Sequence, residues 1–240
     1  MPLLRSAALT DIGRVRRNNE DRFFCDKGAR MFGIADGVGG LPGGAEAAQH
    51  TVDEITRAIR SLPPGEEPNL TAIVHQTNES VDALGQRISP ARGIATTLTV
   101  GIVRGQSFHV AHVGDSRAYL LRNGEFMRIT EDHSVENEAR LRRAKGEVVY
   151  YQEANRNALT RCIGQPTPPE VDLITRPLLA GDRYLFCTDG VTRMIPDSEL
   201  GELLGQPDDP ETAIRAIVSL AVRRGGPDNA TGVIVFVDEV

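Results

Sequence analysis

The chain has 240 residues, a formal net charge of −6, 40% apolar and 25% charged residues, 24 glycines and 14 prolines, which describes a turn-rich globular protein long enough to bury a sizeable core. No apolar run approaches the roughly 18 residues of a membrane span, the opening MPLLRSAALTD is too short and too weakly apolar for a secretory signal, and the acidic balance excludes a general nucleic-acid binder, which carries a basic stripe. Cys25, Cys162 and Cys187 are odd in number and far apart, match neither zinc spacing nor a disulfide framework, and point to a reducing, cytoplasmic setting.

RMFGIAD (30–36) is an apolar strand ending in an acid, and GVGGLPGG (37–44) is a glycine-rich turn. Ala48, Val52, Ile55, Ile59 and Leu62 then recur at steps of three and four, one face of a helix that SLPPGEEP (61–68) breaks. Asn69 caps a second helix, with Leu70, Ile73, Thr77, Val81 and Leu84 on its buried face. TLTVGIV (97–103), SFHVAHV (107–113), RAYLL (117–121) and EFMRIT (125–130) follow with connections too short for helical crossovers, the last pair joined by an Asn123-Gly124 turn; they read as one antiparallel meander. Residues 134–165 are polar, with a helix expected near 135–145 and a loop after it. Strand 182–189, helices near 197–204 and 210–223, and strand 231–237 complete the chain. With no linker and no repeat, residues 1–240 read as a single domain, and the order of elements suits an α+β fold of antiparallel sheets with helices outside.

Three aspartates sit at strand ends: Asp36 before Gly37, Asp189 before Gly190, and Asp228 in Gly226-Pro227-Asp228-Asn229 before the last strand. Strand ends are rigid, and aspartate is a short, hard oxygen donor of the kind magnesium and manganese prefer. The acidic pair Glu20-Asp21 lies in RVRRNNEDRFF. Each Asp-Gly alone is an ordinary turn; acids on separate strand ends are the arrangement that a single metal site built from distant segments needs.

The series DIGRVRRNNED (11–21), GIADGVGG (33–40), GIATTLTV (93–100), VGDSRAYLL (113–121), ITEDHS (129–134), ALTRCIG (158–164), LFCTDGVT (185–192) and GGPDNATGVIV (225–235) resembles the type 2C metal-dependent Ser/Thr protein phosphatases in their compact bacterial form, in order and over nearly the whole chain. The resemblance implies a four-layer α-β-β-α sandwich of two antiparallel sheets, with a binuclear Mn2+ or Mg2+ centre between them. Asp36 would bridge the ions; the Gly37 carbonyl and Glu20 would serve one, and Asp189 and Asp228 the other. Asp21 would stand behind these ligands, Asp115 and Asp189 would hold a weaker third ion, and Arg16 would bind phosphate. Residues 134–165 would include the family's variable flap, where Arg140, Arg142, Arg143 and Lys145 could attract phosphoproteins. The implied reaction is hydrolysis of phosphoserine and phosphothreonine by direct attack of metal-activated water, by a cytoplasmic monomer, on the targets of a cognate Ser/Thr kinase and on the kinase itself. Neither nucleic acid nor membrane is expected as a partner.

Some family members carry a histidine acid after the Asp-Gly pair. Here that position is Val38, which excludes such an acid; a metal-bound water is one alternative donor and His133 the other, although a histidine in such a segment is more often a structural hydrogen-bonder. Two rival readings predict different behaviour. Cys187 and Arg193 fit the Cys-x5-Arg spacing of a cysteine phosphatase, although Asp189 between them would repel phosphate. An inactive relative acting as a binding or regulatory module would show replaced acids, and none of Glu20, Asp21, Asp36, Asp115, Asp189 or Asp228 is replaced.

Overall fold

The structure, a computed structural model, describes residues 1–63 and 66–240. Pro64 and Gly65, part of the expected helix break, lie outside the described residues. In chain order the elements are β1 (Leu3–Asp11), β2 (Asp21–Asp26), β3 (Met31–Asp36), α1 (Gly44–Ser61), α2 (Leu70–Ile88), β4 (Leu98–Arg104), β5 (Ser107–Val113), β6 (Arg117–Arg122), β7 (Glu125–Arg128), α3 (Val135–Ala144), β8 (Asp172–Pro177), β9 (Arg183–Cys187), α4 (Asp189–Thr192), α5 (Asp197–Gly205), α6 (Pro210–Arg223) and β10 (Ala230–Glu239).

The strands form two five-stranded antiparallel sheets, ordered β1-β10-β9-β6-β7 and β2-β3-β4-β5-β8. Their inner faces meet through Phe32, Ile34, Phe108, Val110, Leu120, Tyr184, Phe186, Val233 and Val235, all buried. The Phe108 ring meets Tyr184 edge-on, with centroids 4.5 Å apart, so the layers interlock rather than slide. Helices α1 and α2 cover the β2–β8 sheet through Ala47, Ile55, Val74 and Val81. Helices α5 and α6 cover the other through Leu200, Leu204, Ile214, Ile217 and Val218. This is the four-layer α-β-β-α sandwich.

Three strands went unforeseen, each for lack of a burial signal. In β1 and β8 no residue is buried and each pairs with one sheet neighbour, and β2, also an edge strand, buries only Asp21 and Phe24. The expected meander is corrected. β4–β5 and β6–β7 are hairpins in different sheets, and Gly114-Asp115-Ser116 carries the chain from one sheet to the other. Gly114 has φ +118, which lets the chain turn there within three residues. The buried face of α2 holds Leu70, Thr77 and Val81 as expected and extends to Val74 and Asn78, while Ile73 and Leu84 pack half-buried at its edge.

Candidate metal centre

β3 ends at Asp36, whose backbone is held on both sides. Its N–H donates to Thr97 Oγ1 (3.0 Å), and its carbonyl accepts from Thr97 N–H (2.8 Å) and Thr96 Oγ1 (2.8 Å). Gly37 follows, buried; a side chain there would strike the Gly44 carbonyl at the start of α1, so only glycine permits this approach. Asp189 opens α4 directly after β9. Asp228 precedes β10 in a loop organised by Asn229, whose Nδ2 donates to the carbonyls of Ile12 (2.9 Å) and Asn18 (3.0 Å) and whose Oδ1 accepts from Glu20 N–H (2.8 Å). That one side chain draws the 11–20 segment against the end of β10, and with it Arg16.

The result is a polar pocket of about 170 Å³ lined by Arg16, Asp36, Gly37, Val38, Thr97, Asp115, Asn157, Asp189, Arg193 and Asp228, among others. Six of the eight residues singled out from sequence around the metal and phosphate, Gly37 among them, therefore share one cavity. Asp21 lies buried beside it; its Oδ2 accepts from Thr231 Oγ1 (2.6 Å) and Thr188 Oγ1 (3.0 Å), hydroxyls of the opposite sheet. Glu20 does not line the pocket and sits behind its wall, next to Gly44. A larger cavity of about 820 Å³, lined by Arg30, Ile59, Arg60, Leu62 and Arg104 among others, lies at the opposite end of β3 and holds none of the candidate residues.

Charge is the distinguishing property of the small pocket. Burial raises the Asp36 carboxyl well above its ordinary value, and the neighbouring Asp21, Asp189, Asp115 and Asp228 push it further. Burial lifts Asp21 to about 7, against the two hydroxyl donors, and lifts Asp115 to about 7, with Asp189 adding to it. Asp189 is raised by burial and eased by Arg193. Glu20 is raised by burial. Like charges collected this way are held apart from protonation only by added cations. Two cationic side chains supply part of that: Arg16 Nη2 donates to Asp228 Oδ2 at 2.7 Å, and Arg193 pairs with Asp189. As the side chains stand, no three Asp, Glu, His or Cys residues among the described residues converge into a closed chelate. The donor set nevertheless fits hard divalent cations: carboxylates and the Gly37 backbone, and, among the described residues, no soft ligand in the lining and no arginine in an ion pair with Asp36.

His133 does not reach the pocket. It is buried, its Nδ1 accepts from Gly114 N–H (3.1 Å) and its Nε2 faces Asp172 Oδ2 (3.2 Å). Both contacts are satisfied by a neutral ring with hydrogen on Nε2, and burial, with Arg161 nearby, lowers its pKa. It is placed as a brace for the Gly114 turn and not as an acid. His112 is buried as well, tilted against His133 with ring centroids 4.7 Å apart, and burial lowers it to about 4. Cys187 is fully buried with its thiol pushed far up by burial, and Arg193 is engaged by Asp189, so the cysteine-phosphatase spacing has no cradle behind it. Three of the four basic flap residues, all but Lys145, are engaged within the segment or beside it: Arg140 reaches Glu131 and Asn137, Arg142 reaches Glu147, and Arg143 reaches the Val149 carbonyl.

Residues missed from sequence are Arg193, read only in the cysteine scheme, and Asn157, which the 134–165 segment delivers to the pocket rim with Leu159. No spacing signal marks Asn157, because the segment that carries it is irregular apart from α3 and a 3-10 turn at Glu153–Asn155.

Comparison with known proteins bears on this site. The family model described as protein phosphatase 2C matches residues 9–230. The chain is 36% identical over 240 residues to the serine/threonine protein phosphatase PstP of Mycobacterium tuberculosis, covering 98% of this chain but 45% of that relative, so it spans about half that relative's length. It is 34% identical over 238 residues to a putative protein phosphatase 2C-type of Streptococcus pyogenes, covering 94% of both. Among solved structures it resembles the catalytic domain of PstP in complex with 2 manganese ions, with a TM-score of 0.84, 34% identity, and coverage of 98% of this chain and 99% of that one.

Proposed function

The chain belongs to the protein phosphatase 2C family, and on that premise we propose that it is a divalent-cation-dependent phosphatase of phosphoserine and phosphothreonine proteins, with residues 1–240 forming one phosphatase domain. The observation that carries the reading is the crowd of carboxylates around Asp36 in a small polar pocket with Arg16 at its edge. Asp36 would bridge two Mn2+ or Mg2+ ions; Gly37 through its carbonyl, together with Glu20, would serve one, and Asp189 and Asp228 the other. Asp115 with Asp189 would offer a third, weaker position. Asp21 would hold the cluster in place through the two hydroxyls that bind it.

When bound, such ions supply the Lewis acidity that generates a water nucleophile near neutral pH. The chain's own residues do the rest. Arg16 is part-exposed at the pocket edge, and its planar fork would offer two parallel donors to a phosphate there. Arg193, paired with Asp189, holds the same relation to a second acid of the set. The two guanidiniums thus offset part of the pocket's negative charge on acids that would otherwise hold the ions. Val38 fills the position where a histidine acid would stand. A cognate Ser/Thr kinase and its targets are the expected substrates.

The test is manganese-dependent hydrolysis of a phosphothreonine peptide by the wild-type chain and by Asp228→Asn. The expected result is activity that EDTA abolishes and that the variant almost wholly lacks. Wild-type-like activity in Asp228→Asn would remove Asp228 from the core of the site.

A further inference from the structure

The GIATTLTV segment belongs to none of the roles assigned above, yet it lies between the two loops that bring acids from different strands. Thr97 lines the pocket without carrying charge. Its hydroxyl accepts from Asp36 N–H at 3.0 Å and is hydrogen-bonded to Ser116 Oγ at 2.9 Å, while its backbone N–H donates to the Asp36 carbonyl at 2.8 Å. A hydroxyl has one hydrogen and two lone pairs, so it can serve both partners at once. Thr97 and Ser116 are buried, where such a pair is not exchanged for water.

The same side chain sets the packing of the second loop. A Cβ built on Gly114 would stand 2.6 Å from Thr97 Cβ and Cγ2, so the loop presses directly on the threonine. Gly114 is held from its other side by His133, whose ring Nδ1 accepts from Gly114 N–H (3.1 Å) and whose backbone N–H donates to the Gly114 carbonyl (2.8 Å). Thr99 Oγ1 adds a contact to the Ser116 carbonyl at 3.1 Å. Asp115 sits between these two clamped residues. The Thr97 hydroxyl therefore touches both the Asp36 backbone and the loop that carries Asp115.

We propose that Thr97 is a positioning residue for the cation site: by holding Asp36 N–H and Ser116 Oγ together, its hydroxyl sets the separation of Asp36 from Asp115 and so the affinity for divalent cations. The inference rests on the functional reading above and adds to it a residue that touches no ion.

The experiment compares wild type with Thr97→Val, which keeps the shape and removes the hydroxyl, Thr97→Ser, which keeps the hydroxyl, Ser116→Ala, and the Thr97→Val/Ser116→Ala double variant. Mn2+ binding is measured by calorimetry on the metal-stripped chains, and melting in EDTA is recorded for each. Thr97→Val is expected to bind Mn2+ roughly two- to tenfold more weakly, the scale of one hydrogen bond, while Thr97→Ser stays near wild type. Ser116→Ala, which leaves the Asp36 N–H bond to Thr97 in place, should show part of the loss, and the double variant should add little to Thr97→Val, from which the Ser116 contact is already gone. Should Thr97→Val not fold, Ser116→Ala against Thr97→Ser carries the same comparison. Wild type that binds Mn2+ with Thr97→Val binding equally well, or Thr97→Ser as impaired as Thr97→Val, overturns the positioning role and leaves the functional reading intact. Wild type that binds no Mn2+ overturns both.

Discussion

Stabilisation of this protein by Mn2+ should grow with pH, and the reason is the proton demand of the acid cluster. Asp115 and Asp21 are raised to about 7 by burial. A carboxyl raised in the fold favours the folded state below its unfolded value of 3.8 and loses that contribution as pH climbs to about 7. His112 pulls the other way: buried and lowered to about 4, it adds stability as pH rises from 4 to 6.5. The two trends oppose each other in the metal-free chain, so the informative quantity is the difference in melting temperature between Mn2+ and EDTA at each pH, in which His112 cancels. A cation must displace the proton from a group at about 7; between pH 5 and pH 8 that displacement changes by about 3 kcal/mol per proton. For a chain of 240 residues about 1 kcal/mol moves the melting temperature by about 2 °C, so one displaced proton predicts a gain of about 6 °C. The assay is differential scanning calorimetry at fixed free Mn2+ from pH 5 to 8. A Mn2+-minus-EDTA difference that is flat, or that shrinks towards alkaline pH, would refute the argument that the cations are held by carboxylates crowded into protonation.

Arg16→Lys should lower kcat/KM for a phosphopeptide by about ten- to hundredfold, since an ammonium cannot reproduce a two-donor fork on phosphate; steady-state kinetics at saturating Mn2+ decides it. Cys187→Ser should leave turnover of the folded protein unchanged while lowering its melting temperature, because the buried site offers a hydroxyl no partner; loss of turnover with stability intact would restore the cysteine mechanism. His133→Gln should leave the alkaline limb of the kcat–pH profile in place, as expected of a brace; disappearance of that limb would make His133 the leaving-group acid after all.

What could be read from the sequence follows from where each signal lies. Asp36, Asp189 and Asp228 end or precede strands whose apolar runs are buried on both faces, so both the strand and its terminal acid were visible. β1 and β8 pair with one neighbour and bury little, and such strands leave no periodic mark. The partition of the 97–130 strands between two sheets was equally hidden. The alternation in β5 and β6 reports which residues face inward, not which sheet receives them, and the deciding feature is the backbone of Gly114. Arg193 and Asn157 were missed for a third reason. Their place in the pocket is set by tertiary contacts, one through Asp189 and one through an irregular segment.

The Gly114-Asp115-Ser116 crossing has a consequence for how this protein comes into being. Asp36 ends a strand of one sheet, Asp189 and Asp228 flank strands of the other, Asp115 rides the bridge between them, and Asp21 is tied by Thr188 and Thr231 across the gap. Neither sheet alone contains the cluster. A nascent chain with one sheet formed and the other unmade carries no assembled centre, so hydrolytic capacity would switch on only at the docking of the two halves. The cations would then act as a latch on the last step of folding, and unfinished molecules would be chemically silent toward the phosphoproteins around them.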